Sequence, residues 1–75
     1  MHIRFFGQVA DLTGVTDLTV DHVPNTEKLL ENILKQFPVL EHCTFKLAVN
    51  RQIIDRECNL TPTCEVAFLP PFAGG

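Results

Sequence analysis

The sequence predicts an α+β fold in which one main helix packs across one face of a mixed sheet of four to five strands. Three observations support this prediction. Short apolar or alternating segments, typical of strands, occur towards both ends of the chain. One segment between them repeats its apolar residues with helical spacing. The length of 75 residues allows a single domain, and the apolar content of 45% is ordinary for a globular one.

The first strand is predicted from an alternation that begins at Ile3. Ile3 and Phe5 fall on the face that would meet the core. Arg4 and Phe6 fall on the opposite face, and Gly7 then interrupts the strand. Phe6 is therefore expected to lie outside the core although its side chain is large and apolar.

A second strand is predicted after a short connecting segment. Residues 8–12 can form a helical turn that Gly14 closes. Residues 17–21 then alternate polar and apolar side chains, as a half-buried strand does. The two apolar side chains of this strand, Leu18 and Val20, are expected to face the core.

The most regular segment of the chain predicts the main helix. Asn25 and Thr26 are both good N-cap residues. Pro38 stops the helix, because the residue before a proline disfavours helical backbone angles. Between these signals the apolar residues recur at helical spacing and form one stripe, which consists of Leu29, Leu30, Ile33, Leu34 and Phe37. A helix of about three turns with one buried face is expected.

Three further strands are predicted in the second half of the chain. Residues 45–49 form the third strand, and Asn50 and Arg51 make a tight turn into a short fourth strand over residues 53–54. Residues 64–69 form the last strand, which carries apolar side chains on both faces. Such a strand suits the middle of a sheet that is covered on both sides.

The order of these elements predicts the topology. The first and last strands can lie side by side in the middle of the sheet, and their parallel pairing needs a crossover such as the main helix. This is the β-grasp arrangement. We expect the β-grasp domain to cover residues 1–69 and an extended, flexible C-terminal tail to cover residues 70–75.

The tail is the segment that carries most information about function. The chain has no charged side chain after Glu65, whereas ordinary flexible termini are polar. Pro70 and Pro71 hold the backbone on an extended path, so six extended residues reach at most about 20 Å. Phe72 has no core left to join, which favours a pocket on another protein. The two final glycines can pass through a channel that would reject any side chain.

The terminal carboxylate of Gly75 is the group expected to react. It is ionised at neutral pH and is a poor electrophile, so acyl chemistry requires its activation first, typically as a mixed anhydride with AMP. Attack by a sulfur donor then leaves a thiocarboxylate, which is a transferable nucleophilic sulfur. No other part of the chain indicates catalysis, and an enzyme that acts alone is not expected.

Three segments carry a resemblance to a known family, namely residues 4–7, 48–50 and 65–75, of which the last is the most specific. The sequence resembles the small subunit of molybdopterin synthase, within the wider group of ubiquitin-like sulfur carriers. The resemblance implies that an adenylating, ubiquitin-activating-like enzyme uses ATP and Mg²⁺ to activate Gly75. A persulfide sulfur donor then loads the carrier. The large catalytic subunit of the synthase passes the sulfur to the cyclic pyranopterin precursor of the molybdenum cofactor.

The resemblance also assigns roles to individual residues. Gly75 would carry the sulfur as a thiocarboxylate, and Gly74 would line the narrow passage. Phe6 and Leu69 would add to the subunit interface. The groove of the large subunit would hold the approach to the glycines, which consists of Pro70, Pro71, Phe72 and Ala73. The resemblance implies that the chain itself binds no cofactor and no metal.

Charge and composition argue against several other classes. The net charge is -3 and the six Lys and Arg residues are scattered, which disfavours nucleic-acid binding. The N-terminal segment is too short and too broken for a signal peptide or a membrane span. An odd number of cysteines favours reduced thiols and therefore the cytoplasm; they are Cys43, Cys58 and Cys64. The histidines are far apart and are expected at the surface rather than in a metal site; they are His2, His22 and His42.

Three other functions stay open at this point. The first is a carrier for thiamine thiazole or another thiolated product, although such carriers tend to be shorter and to lack the double proline. The second is a protein modifier that is joined to lysines through Gly75, as ubiquitin is. The third is a plain β-grasp interaction module whose final glycines have no role.

Overall fold

The computed structural model describes residues 1–71, and within that range it contains five strands and two α-helices. A single 3₁₀ helix is also present in this range, over Pro38–His42. The other elements, in chain order, are β1 (His2–Phe5), α1 (Gly7–Thr13), β2 (Asp17–Thr19), α2 (Thr26–Gln36), β3 (Lys46–Val49), β4 (Gln52–Ile54) and β5 (Glu65–Leu69).

The strands form one mixed sheet in the order β2-β1-β5-β3-β4. The central pair, β1 and β5, is parallel, and its register places Phe5 opposite Phe68. The other three pairs of neighbouring strands are antiparallel. The predicted β-grasp fold is therefore confirmed, including the parallel pairing of the first and last strands in the middle of the sheet.

The hydrophobic core lies between the inner face of the sheet and helix α2. Leu29 and Ile33 of the helix are almost fully buried in one cluster with the inward-facing side chains of the sheet. Phe5 lies at the centre, with its ring 5.2 Å from that of Phe68 and 5.6 Å from that of Phe37. The predicted apolar stripe of the helix is confirmed, because Leu30 and Leu34 also pack against this cluster.

Both ends of α2 follow the sequence signals. The Asn25 side-chain oxygen accepts a hydrogen bond of 2.9 Å from the backbone N–H of Lys28, which makes Asn25 the N-cap. At the other end α2 stops before Pro38 as expected. The chain does not enter a loop there, because Pro38 starts the 3₁₀ helix and Leu40 is buried against the core.

Two turns adopt left-handed backbone angles, one after α1 and one between β3 and β4. Gly14 has φ of 72° and closes α1, which confirms the predicted helical turn. Asn50 and Arg51 have φ of 49° and 70° and connect β3 to β4 as a two-residue hairpin turn. The Asn50 side chain also accepts a hydrogen bond of 3.0 Å from the Glu65 amide, which ties this turn to the start of β5.

Candidate functional site

The outer face of the sheet, opposite α2, carries a shallow groove of about 380 Å³, which we call the outer-face groove. Its lining combines five apolar side chains with three charged ones at the periphery. The lining residues are Arg4, Phe6, Ala48, Arg51, Ile53, Glu65, Ala67 and Leu69. Both Phe6 and Leu69, predicted from the sequence as interface residues, therefore line the same groove.

This groove exists because the central strands alternate their side chains. In β5, Val66 and Phe68 are buried, whereas Ala67 and Leu69 are only half-buried and face outwards. Phe6 follows β1 and is exposed, as predicted. The sheet therefore presents an apolar surface on the side that no helix of residues 1–71 covers, and such a surface with a polar rim is typical of a protein-binding site.

Charged side chains frame this surface along β1 and β2. The Arg4 guanidinium lies 5.3 Å from the centre of the Phe6 ring, within the range of a cation–π interaction. It also lies 3.6 Å from a carboxylate oxygen of Asp17 and 3.8 Å from one of Glu65. The His2 ring nitrogen Nε2 lies 2.8 Å from Asp17. These pairs are exposed, so they contribute little to the stability of the fold and mainly orient the charged side chains beside the groove.

The base of the predicted tail lies beside the start of α1. The side chain of Pro70 is half-buried and occupies the space next to Gly7. Pro71 is also half-buried, and it lines a second shallow groove together with Leu12 and Val39. The remaining predicted site residues lie outside the described part of the chain, namely Phe72, Ala73, Gly74 and Gly75.

The thiol of Cys64 is not exposed; the side chain packs in the core. It is buried and belongs to the hydrophobic cluster. Hydrogen bonds from the Thr61 hydroxyl and the Thr61 amide, each 3.2 Å long, lower the pKa of the Cys64 thiol, and burial opposes them. Cys43 and Cys58 are half-buried, and all three are free cysteines in the described part of the chain.

The histidines take part in separate local contacts. His22 Nε2 lies 2.9 Å from the carbonyl oxygen of Leu60, while His2 belongs to the rim of the outer face. Over residues 1–71 there is no group of three His, Cys, Asp or Glu side chains that could hold a metal ion. Over the same range, no helix has the length and apolar character needed to cross a membrane.

A third groove, of about 530 Å³, lies between the start of α2 and the β3–β4 hairpin. Glu27 and Glu57, thirty positions apart in sequence, both line it. A hydrogen bond with the Glu27 carboxyl, partial desolvation and the negative charge of Glu27 raise the pKa of Glu57. The sequence does not indicate this pair, because only the folded loop brings the two carboxyl groups together.

Sequence reasoning missed most of the residues that line the outer-face groove, and it missed the role of Gly7. Arg4, Arg51 and Ile53 line the outer-face groove, and Ile53 is the most exposed large apolar side chain among residues 1–71. The alternation of β1 already placed Arg4 beside Phe6 and could have identified it. The role of Gly7 beside Pro70 depends on the register between β1 and β5, which is not visible in the sequence.

Comparison with known proteins identifies a family and a similar solved structure. The model of a family described as the ThiS family matches residues 3–75. The solution structure of the small archaeal modifier protein 1 (SAMP1) from Methanosarcina acetivorans is similar to this chain, with a TM-score of 0.82. The match covers 99% of this chain and 94% of that one at 18% sequence identity, and it supports the β-grasp fold alone.

Proposed function

The chain belongs to the ThiS family of ubiquitin-like sulfur carriers, and from this premise we propose that it is the sulfur-carrying subunit of a molybdopterin synthase in the cytoplasm. Gly75 is the residue that carries the sulfur. The catalytic large subunit of the synthase, an adenylating enzyme and a sulfur donor are its partners. The proposal requires that the carboxylate of Gly75 is free in the working protein.

The observation that carries this proposal is the composition of the segment that continues the central strand. β5 lies in the middle of the sheet, and the chain leaves it through Pro70 and Pro71 towards Gly74 and Gly75 without any charged side chain. A chain that must enter a narrow, dry site on a partner has to leave charge and bulk behind, because burying an unpaired charge is costly. The segment carries no charged side chain, and its last two residues carry no side chain at all.

The outer-face groove supports the proposal because it lies where the partner would dock. Leu69, at the end of β5, and Phe6, just after β1, both line this groove. A partner that binds this surface is therefore seated directly next to the base of the segment that has to enter its interior. Buried aromatic side chains commonly provide much of the binding energy at such interfaces, and Phe6 is suited to this role.

The chemistry requires only the terminal carboxylate from this chain. In the activating enzyme, the carboxylate of Gly75 attacks the α-phosphorus of ATP, and pyrophosphate leaves. The resulting acyl adenylate is an electrophile, and the outer sulfur of a persulfide donor displaces AMP from it to form an acyl disulfide. A thiol then attacks the donor's sulfur of that S–S bond and releases the thiocarboxylate. In the synthase, the thiocarboxylate sulfur attacks a carbon of the pyranopterin precursor and displaces an oxygen substituent. Hydrolysis of the resulting thioester leaves the sulfur on the precursor and returns the carboxylate of Gly75. Gly74 has no side chain to obstruct either site.

Intact-mass measurement tests the proposal. The protein is incubated with the adenylating enzyme, ATP, Mg²⁺, a persulfide donor and a thiol reductant. We expect a species that is heavier by the difference between one sulfur and one oxygen atom. Deletion of Gly75 should abolish it, whereas Gly14→Ala, which is remote from the terminus, should retain it. A protein that keeps only its carboxylate under these conditions contradicts the proposal.

Two of the three alternatives begin with the same adenylation and differ in the later steps. A carrier for thiamine thiazole would form the thiocarboxylate but would co-purify with a different large subunit. A modifier would give covalent products on a denaturing gel that survive thiols and disappear without Gly75. The fold shared with SAMP1, which is named as a modifier, makes this second outcome worth measuring in the same experiment. Function that survives removal of Gly74 and Gly75 would indicate a plain interaction module.

A further inference from the structure

We propose that Gly7 is a positioning residue for the sulfur-carrying segment, because its bare Cα accommodates the ring of Pro70 and so sets the direction in which the chain leaves the sheet. This inference rests on the proposed function, since it assigns Gly7 a role in delivering Gly75 to its partners. It concerns the residues at the base of the segment, and the described part of the chain contains both of them.

The first step of the argument is the register of the central strands. β1 and β5 run in parallel, with Phe5 opposite Phe68. Continuing that register by two residues brings Gly7 opposite Pro70. The two chains thus leave the sheet at the same edge and at the same level, with the Phe6 amide still donating a hydrogen bond of 3.1 Å to the Phe68 carbonyl oxygen.

The second step is the space at Gly7. A Cβ built on Gly7 would lie 2.6 Å from Cγ of Pro70 and 3.5 Å from its Cδ, whereas the Pro70 Cβ would be 3.9 Å away. The first distance is shorter than any normal contact between carbon atoms. The proline ring cannot rotate out of the way as a flexible side chain would, since it is closed onto the backbone. A side chain at position 7 must therefore displace Pro70 or the start of α1.

The third step is the backbone of Gly7 itself. Its φ of 54° lies in the left-handed region, which glycine adopts without steric cost and other residues rarely adopt. This angle turns the chain from β1 into α1 while the neighbouring strand continues to Pro70. The same glycine therefore makes the turn and leaves the space that the proline ring fills.

Gly14 provides a matched control within the same protein. It lies at the other end of α1 and also has a left-handed φ, of 72°. A Cβ built on Gly14 would meet no atom within 4 Å. Gly7→Ala and Gly14→Ala therefore carry the same kind of backbone cost, and only Gly7→Ala adds the collision with Pro70.

Thermal unfolding tests the contact without any sulfur chemistry. We expect Gly14→Ala to lower Tm by roughly 4–8 °C and Gly7→Ala to lower it by about twice as much. In the Pro70→Ala background, which removes Cγ and Cδ, Gly7→Ala should cost no more than Gly14→Ala does. If Gly7→Ala alone does not fold, recovery of folding in Gly7→Ala/Pro70→Ala supports the contact. The proposal is overturned if Gly7→Ala lowers Tm equally in the wild-type and Pro70→Ala backgrounds. It is also overturned if Gly7→Ala does not fold and Pro70→Ala does not restore folding.

The direction of the chain is measured separately by NMR. Cα–Hα residual dipolar couplings at Pro70 and Pro71 report how these residues are oriented relative to the sheet. We expect the couplings to change in Gly7→Ala and to stay as in the wild type in Gly14→Ala. Unchanged couplings in a folded Gly7→Ala protein would mean that α1 absorbs the collision, which overturns the proposal.

Kinetics of adenylation test the consequence for delivery. A carrier that docks normally but directs its chain wrongly should show a lower kcat with little change in KM. We expect Gly7→Ala to lower kcat about tenfold and to change KM less than about twofold, because small misplacements of a reacting group are costly. Gly14→Ala should change neither value. Equal kcat values for the two variants refute positioning, while a wild-type protein that is not adenylated at all refutes the proposed function instead.

Discussion

Phe5 and Phe6 are neighbours in the chain and carry the same side chain, yet the two faces of the sheet give them different environments. Phe5 is 2% exposed and touches the rings of Phe37 and Phe68 in the core. Phe6 is 39% exposed and lies in the outer-face groove under the guanidinium of Arg4. The comparison indicates that the inner face holds the fold together, whereas the outer face is available to a partner at little cost in stability.

The largest effect is expected from Phe5→Ala. It removes a ring from the centre of the core and should lower the free energy of unfolding by about 3–5 kcal/mol. Phe6→Ala, the matched control, should lower it by no more than about 1 kcal/mol. Urea unfolding followed by circular dichroism measures both. Similar losses for the two variants would show that the faces do not differ in this way.

The second effect concerns binding, for which Phe6 should be important although it contributes little to stability. Phe6→Ala is expected to weaken binding of the large synthase subunit by about 2 kcal/mol, roughly thirtyfold in Kd. Titration calorimetry with purified subunits measures it. The control is Ile53→Ala, which removes an exposed side chain from the same groove on the edge strand β4, which β3 separates from β5. If Kd is unaffected by Phe6→Ala, the outer-face groove is not the docking surface.

A smaller effect on stability is expected at helix α2, which covers the inner face of the sheet. Asn25→Ala removes the side-chain cap on the Lys28 amide and should cost about 1 kcal/mol, or roughly 4–8 °C in Tm. Asn32→Ala, on the exposed side of α2, should stay within about 0.5 kcal/mol of the wild type. Thermal unfolding compares the two variants. Equal Tm values would mean that α2 does not depend on its cap.

The smallest effect is a pH dependence at the surface. The neighbouring Glu27 raises the pKa of Glu57, so Glu57 contributes stability when it is protonated, and this contribution is lost as pH rises through its folded-state pKa. Relative to Glu57→Gln, the wild type should therefore lose stability as the pH rises from the ordinary glutamate pKa of 4.5 through the raised pKa of Glu57. Urea midpoints across this range measure the difference. A difference that is independent of pH would contradict the coupling to Glu27.

The elements with regular spacing could be predicted from the sequence with little error. Helix α2 begins and ends within a residue of its expected bounds, because Asn25 and Pro38 act locally on the backbone. The parallel pairing of β1 and β5 was also predicted, since few topologies accommodate this order of elements. The 3₁₀ helix was missed. Its first residue is the proline that ends α2, and the burial of Leu40 that favours it depends on tertiary contacts.

The candidate site was predictable in part. The exposed position of Phe6 follows from the alternation of side chains in β1. The face of the sheet on which Leu69 lies follows from the same alternation in β5. Arg51 and Ile53 join the same groove only because the β3–β4 hairpin pairs beside β5, which is a long-range property. The functional roles of Pro70 to Gly75 remain predictions, and four of these six residues lie outside the described part of the chain.

The parallel pairing of the first and last strands has a mechanical consequence. Because β1 and β5 run in parallel, the start of β1 and the end of β5 lie at opposite ends of one hydrogen-bonded ladder. A force applied between these two ends loads all the hydrogen bonds of the ladder in shear at once rather than breaking them one by one. The central strand pair is therefore the part of the fold best suited to resist a force applied along β5.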